Sequence, residues 1–329
     1  MAGLGIISLE DVATTEMEWL WPGWIPKGAL TFLVGDPGVG KSSLSWDLAA
    51  RLSTGDDLPD GGEGRSGRAL IISGEDGLSD WIRPQLIAYG ARIDNISAMN
   101  MRSQERGLRL DTDCEELERL VDKKNIELVI IDPLDAFLGR SNPNSGADIR
   151  AITNGLAGLA QRTGAAVLVL HHFNKKEKAA AGHRVSGSID LVGAARSVLY
   201  LVVHRRKNTH RILYRQKGNC GRAPQPMLLG LGKGERLEWS QTPDDFDLDT
   251  YATGRRSAAV AEAVRFLKTI MDEHNGCVES SVVLREAAAA GISRHALERA
   301  KDELCVSSRK SKSKFKGGWA YCYEEDEES

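Results

Sequence analysis

The sequence predicts an α/β fold: a mostly parallel sheet with helices on both faces, followed by a small helical domain. Two observations predict the sheet. Short apolar runs at 28–34, 68–73, 127–132, 165–172, 197–203 and 211–215 are separated by stretches of helical spacing at 81–89, 113–124 and 149–162. Most of these runs are Val-, Ile- and Leu-rich without polar alternation, as strands buried on both faces are. A third observation sets off the second domain. Past a polar stretch at 241–256, the pattern changes to three helical segments at 257–274, 280–290 and 294–304.

The first apolar run leads into Gly35-Asp36-Pro37-Gly38-Val39-Gly40-Lys41-Ser42 and then a helix closed by Gly55. This fits G-x-x-x-x-G-K-[ST] in the strand–loop–helix context that the motif requires. Its glycines let backbone N–H groups turn toward an anion, and the helix N-terminus adds partial positive charge. The expected nucleotide contacts are Gly35, Asp36, Pro37, Gly38, Val39, Gly40, Lys41, Ser42 and Ser43, with ATP as ligand. Lys41 reaches the β/γ-phosphates and the Ser42 hydroxyl holds Mg²⁺.

Length and composition bound the rest. The 329 residues allow about two domains, and 41% hydrophobic content supplies a core. No run approaches the ~18 apolar residues of a membrane helix. The first eleven residues lack the basic start of a signal peptide. Five scattered cysteines with no C-x-x-C indicate neither a disulfide framework nor a zinc site, so a reducing cytoplasm is expected. Net charge is −3, so any DNA affinity comes from local patches.

Trp19, Trp21 and Trp24 lie among Pro22, Gly23 and Pro26, where helix is disfavoured. They read as cover for the core edge, or else as an aromatic wall near the nucleotide or at a subunit contact. Asp132 follows four apolar residues, which places a carboxylate at a buried strand end for Mg²⁺ or for a turn before Pro133. Glu75 closes the run at 68–73, a strand expected beside that of the P-loop. It reads as the group that deprotonates water or as a helix N-terminal acid, with Asp76 a neighbouring decoy. His171 and His172 end a further strand. His171 reads as a γ-phosphate sensor or as an ordinary hydrogen-bonding histidine.

Three further groups concern partners. The segment 174–184 carries Lys175, Lys176, Lys178 and Arg184, and would hold single-stranded DNA phosphates or be a solvated loop. Arg196, Arg215 and Lys217 are candidates for a cation inserted into a neighbour's site, or for surface ion pairs. In the C-terminal domain, Ser293 caps the helix that starts with Arg294. The run holding Arg309, Lys310, Lys312, Lys314 and Lys316 reads as a basic hairpin, a wing beside a helix–turn–helix.

Taken in order, the P-loop, Ser73-Gly74-Glu75-Asp76, the strand ending at Asp132, His171-His172-Phe173-Asn174-Lys175 and Gly187-Ser188-Ile189-Asp190-Leu191-Val192-Gly193-Ala194-Ala195-Arg196 resemble the RecA-like ATPases of the RepA type, hexameric replicative helicases of plasmids and phages. The resemblance covers about residues 17–235. It implies a ring, with ATP at subunit interfaces. It makes Glu75 the catalytic base, Asp132 the Mg²⁺-linked acid and His171 the sensor, with Arg196 the leading trans-acting finger. Arg215-Gln216-Lys217 resembles the paired basic residues of ring helicases, in Arg-x-Lys rather than Lys-x-Arg order. The 174–190 stretch would face DNA. The expected division is a lead segment at 1–28, a RecA-like core at 29–240, a linker at 241–256, a winged-helix-like DNA-binding domain at 257–323 and an acidic tail at 324–329. The expected function is a Mg²⁺-dependent, DNA-associated ATPase of a mobile element, a helicase or helicase-like motor assembled as a hexamer and meeting replication proteins. Single-stranded DNA would pass through the ring and duplex would bind the C-terminal domain. An ATP-switched regulator and a recombination or repair ATPase are the alternatives.

Overall fold

The computed structural model describes residues 8, 10, 12–14, 16–100, 107–142, 145–172, 193–204, 209–219, 221–230, 236–242, 258–304, 306–310 and 319–323. The expected DNA-loop residues Lys175, Lys176, Lys178 and Arg184, the wing residues Lys312, Lys314 and Lys316, and the acidic tail lie outside them. The chain divides into two compact units, a larger one that ends at Thr242 and a smaller one that follows.

The larger unit opens with a hairpin, β1 (Trp19–Trp21) and β2 (Ile25–Pro26). Its main sheet uses β3 (Leu30–Gly35), β4 (Ala69–Ser73), β5 (Ile96–Asn100), β6 (Leu128–Asp132), β7 (Ala166–His172), β8 (Ser197–Val203), β9 (His210–Gly218), β10 (Met227–Gly230) and β11 (Glu238–Gln241). The spatial order is β11-β10-β9-β8-β3-β7-β6-β4-β5. The strands from β8 to β5 pair in parallel, and β9, β10 and β11 add an antiparallel edge. Every residue of β3, β4 and β6 is buried, so both faces of the sheet centre are covered. Among the described residues the α-helices of this unit are α1 (Lys41–Thr54), α2 (Arg83–Ala88), α3 (Cys114–Lys123) and α4 (Gly146–Thr163). Pro84 falls in the first turn of α2, where a π-helical turn, Leu78–Ile82, gives way to the α-helix.

One expectation of strand order is corrected. The Glu75 strand β4 does not lie beside the P-loop strand β3; β7 and β6 stand between them. The tryptophans resolve toward core cover. Trp21 and Trp24 are buried and stacked, with ring centroids 4.9 Å apart, and Trp239 of β11 meets Trp21 edge-on at 5.7 Å. Trp239 Nε1 also donates to the buried Asp47 carboxylate of α1, which accepts from Arg51 Nε as well. This ties the P-loop helix to the far antiparallel edge.

The smaller unit runs α5 (Ala258–Glu273), β12 (Cys277–Glu279), α6 (Ser280–Ala289), α7 (Arg294–Glu303), β13 (Val306–Lys310) and β14 (Trp319–Tyr323). Its strands form an antiparallel sheet in the order β12-β14-β13. Val260, Val264, Leu267, Ile270 and Met271 of α5 share one core with Val283, Leu297 and Tyr321. Ser293 Oγ caps α7, accepting from Ala296 N at 3.2 Å. A second correction concerns cysteine. Cys277 and Cys322 face each other across β12 and β14 and form a disulfide. Sheet register brings them together, and the count and spacing of cysteines carry no trace of it.

Candidate nucleotide site

The site is assembled where β3 gives way to α1. Gly35 ends β3 in a place that only glycine fits: a Cβ there would lie 2.5 Å from Leu201 O and 2.9 Å from Val39 Cγ1. Gly40 takes the left-handed conformation, φ 100°, and starts α1. No side chain caps the first turn of α1 and no acidic residue lies in it. The turn thus keeps the field that favours an anion.

Lys41 folds back over the loop. Its Nζ donates to Gly35 O and Asp36 O, each at 3.0 Å, and lies 3.0 Å from His172 Nδ1. The residue is only 5% exposed, and burial holds its amine below the usual lysine range, against the opposing pull of Asp132, Asp36 and Glu75. In the next position, the Ser42 side chain lies close enough to Asp132 to favour its ionised form.

Asp132 closes β6 in register with Ser73 of β4. Burial pushes its carboxyl up to about 6, and the nearby Asp76 and Glu75 add to the rise, while Ser42 and Lys41 oppose it. Among the described residues, its Oδ2 is buried without a hydrogen-bond partner. A buried carboxylate oxygen lacking a partner, next to a hydroxyl, is a hard-oxygen donor set of the kind Mg²⁺ takes, usually with waters and phosphates completing the shell. The residues present therefore fit Mg²⁺, with Ser42 and Asp132 to hold it.

Glu75 projects from the turn after β4. Asp76 N donates to Ser73 Oγ at 3.1 Å, and Ser73 Oγ donates back to Asp76 O at 3.2 Å. Gly74 N donates to Asp132 O at 2.9 Å, and a Cβ on Gly74 would lie 2.4 Å from Ala136 Cβ. These contacts fix the turn and leave Glu75 exposed, within electrostatic reach of both Lys41 and Asp132.

The two histidines separate by strand alternation. Val34 pairs with His171 and Gly35 with His172. It is His172 that meets the Lys41 amine. His171 turns to Asp135, with Nδ1 3.8 Å from Asp135 Oδ2, and burial holds its imidazole below the usual histidine range, partly countered by Asp135. A second residue without a sequence signal is Arg211 of β9, whose Nε donates to Val39 O at 2.9 Å. The antiparallel register of β9 on β8 brings it to the P-loop end of the sheet, and no motif marks it.

A sequence profile described as the AAA domain matches residues 6–178. The chain belongs to the AAA domain family. Its core is α/β and of the RecA-like P-loop type, a nucleotide-binding architecture. The chain is also similar to the DNA repair protein RadA of Halalkalibacterium halodurans, 27% identical over 266 residues, which is 80% of this chain and 52% of that protein. It is 25% identical to the DNA repair protein RadA of Bacillus subtilis over 254 residues, 76% of this chain and 49% of that one. It thus spans about half the length of the curated relatives it matches.

The expected finger residues lie beyond the matched AAA domain and away from the P-loop. Arg196 N donates to Leu30 O at the start of β3, so the residue lies five positions of strand, about 16 Å, from Gly35. Arg196 is exposed there. Lys217 pairs with Val198 at the same end and is half-buried. Neither serves the P-loop of its own chain. Arg215 is held within its own chain. It is 6% exposed, and its Nη1 and Nη2 donate to Gly23 O at 2.7 Å and Gly221 O at 2.8 Å. That guanidinium ties two backbone segments together and is not presented to a ligand. In the smaller unit Arg294, Arg309 and Lys310 are exposed. Among the described residues no helix is long and apolar enough to cross a membrane.

Proposed function

We propose that this chain is a Mg²⁺-dependent, DNA-associated ATPase whose turnover is coupled to DNA. The observation that carries it is the convergence of Lys41, Ser42, Asp132 and Glu75 at the C-terminal ends of parallel strands, where ligands of such sheets bind. Lys41 exchanges its loop carbonyls for β/γ-phosphate oxygens. Ser42 and Asp132 would hold Mg²⁺, whose charge would offset that of the phosphates. Glu75, exposed on its fixed turn, orients and deprotonates the attacking water. The contact between His172 and Lys41 makes His172, rather than His171, the better candidate to report on the γ-phosphate. Arg196, exposed at the opposite end of the sheet, is the cation available to a neighbouring copy in a ring.

DNA association rests on two supports. The similar proteins are named for DNA repair, and the smaller unit has the element order of a winged helix, with basic residues at the start of α7 and on β13. The larger unit suits two tasks. Motif order supports a ring helicase of a mobile element, and the RadA similarity supports a repair or recombination ATPase equally well.

The test is ATP hydrolysis by the full chain without DNA, with single strands and with duplex, using Lys41→Ala as the blank. DNA-stimulated turnover that disappears in Lys41→Ala is expected. Unchanged turnover in Lys41→Ala would remove the P-loop from the chemistry. Unwinding of forked DNA then separates helicase from repair ATPase.

A further inference from the structure

In the smaller unit, β13 and β14 pair with Lys310 opposite Trp319 and Ser308 opposite Tyr321. Directly opposed residues share a face, with Cβ atoms about 4.5–5.5 Å apart. On this face Tyr321 belongs to the core, while Ser308 opposite it is exposed. Tyr321 is buried, and Lys301 Nζ of α7 lies 4.1 Å from its ring centroid and 3.3 Å from Ser308 Oγ. One pair farther out the core has ended. Trp319 is 53% exposed and takes no part in the hydrophobic cluster of this unit. Lys310 and Arg309 are exposed as well. From 306 to 323 the sequence holds five cations and no acid. Five acids follow at 324–328, but the exposed cations beside the exposed ring suit an anionic partner with a flat π-face.

We propose that Trp319 and Lys310 form a stacking platform for an unpaired or terminal nucleobase, with Lys310 taking the adjoining phosphate. This rests on the DNA-binding reading of the smaller unit given above, and adds which form of DNA it selects. Inside a continuous duplex both faces of every base are covered by neighbours, and opening a step costs a few kcal/mol. A single strand or a duplex end offers a free face at no such cost. The ring therefore selects single strands, tails and ends, while the exposed Arg309 and Lys310 bind any DNA phosphate.

The experiment is a binding titration of the full chain with a single strand, a tailed duplex and a relaxed closed circular duplex that has no ends. Trp319→Ala is expected to weaken the first two roughly 5- to 150-fold, the range of one base–aromatic stack, and to leave the circle unchanged. Trp319→Phe retains most of the affinity. Lys310→Ala weakens all three and lowers the salt slope by about 0.9 on duplex and about 0.7 on the single strand. A 5-iodouracil placed at the tail should photocrosslink to Trp319. ATP turnover without DNA, unchanged in Trp319→Ala, shows the larger unit intact. Equal loss on all three DNAs, or no loss, overturns the platform while leaving DNA binding standing. Transfer of the Trp319 effect to anionic lipid vesicles, with DNA unaffected, also overturns it. Wild-type protein that binds none of the DNAs overturns the DNA reading itself, and the platform with it.

Discussion

Asp132→Asn offers the most quantitative test of the nucleotide site. The carboxyl titrates at about 6 in the folded protein and at 3.8 in an ordinary setting, so the folded chain holds an extra proton between these values. Stability therefore falls as pH rises through that window and stays lower above it. At about 1.4 kcal/mol per pH unit, the ionised carboxylate costs the apoprotein about 3 kcal/mol above pH 6. Asparagine carries no charge at any pH, but its amide is left with the same unpartnered Oδ2 position, at a cost of about 1–3 kcal/mol. The pH-independent part cancels when the variant is compared with wild type at two pH values. So does His171, whose depressed imidazole removes stability as pH falls below about 6.5 in both proteins. The variant's stability relative to wild type should thus rise by about 2 kcal/mol between pH 4.5 and 7.5. Urea unfolding in chelator, without nucleotide, measures it. Six of the seven tryptophans precede residue 242, so intrinsic fluorescence follows the larger unit. The same variant should lose most of the stabilisation that Mg²⁺ and nucleotide give wild type. A relative stability that does not change with pH would refute the buried-charge argument, whatever the variant does to turnover.

Three other substitutions address separate parts of the structure. Glu75→Gln should bind nucleotide with near wild-type affinity and hydrolyse it at least 100-fold more slowly, by filter binding and single-turnover assay; lost binding would make Glu75 structural. Gly74→Ala drives a methyl against Ala136, and should lower the unfolding free energy by about 1–3 kcal/mol and slow turnover by displacing Glu75; an unaltered melting curve would contradict the close approach. Arg215→Ala should destabilise by at least about 1.5–3 kcal/mol, because Gly23 O and Gly221 O lose a charged donor, and unchanged stability with lost turnover would restore it as a finger.

What the sequence reveals here and what it hides divide along the range of the interactions. The P-loop, the capped α7 and the acid after the β6 run are local patterns, each set by its own few residues. The roles that shifted depend on register between distant strands. Alternation in β7 decides that His172, not His171, meets Lys41, and nothing in the dipeptide shows which one pairs with Gly35. Arg211 and Arg215 lie on the same strand, four residues apart, yet one reaches the P-loop carbonyl and the other is sealed beneath Gly23. A basic residue in a strand carries no mark of which end of the sheet it will occupy. The short strands β10 and β11 lack any apolar run long enough to announce them, though they supply the Trp239 contact that anchors α1.

The polar groups of the site also explain why it is built against its own stability. Lys41 is buried with its charge, satisfied by carbonyls of the very loop that would turn to phosphate. Asp132 is buried with one oxygen unpartnered, and its two nearest acidic neighbours raise its proton affinity further. A core built for stability alone would fill both positions with apolar side chains of similar size. Each of these costs falls when a polyanion and a divalent cation arrive together, because the anion takes the amine and the cation takes the carboxylate. Neither ligand alone relieves both. The arrangement therefore predicts coupled binding: Mg²⁺ without nucleotide leaves Lys41 on its loop, and nucleotide without Mg²⁺ adds negative charge beside Asp132, Glu75 and Asp76. Isothermal titration of each ligand with and without the other measures that coupling. An affinity for nucleotide that ignores Mg²⁺ would show that Asp132 is a buried turn residue and not a partner in the site.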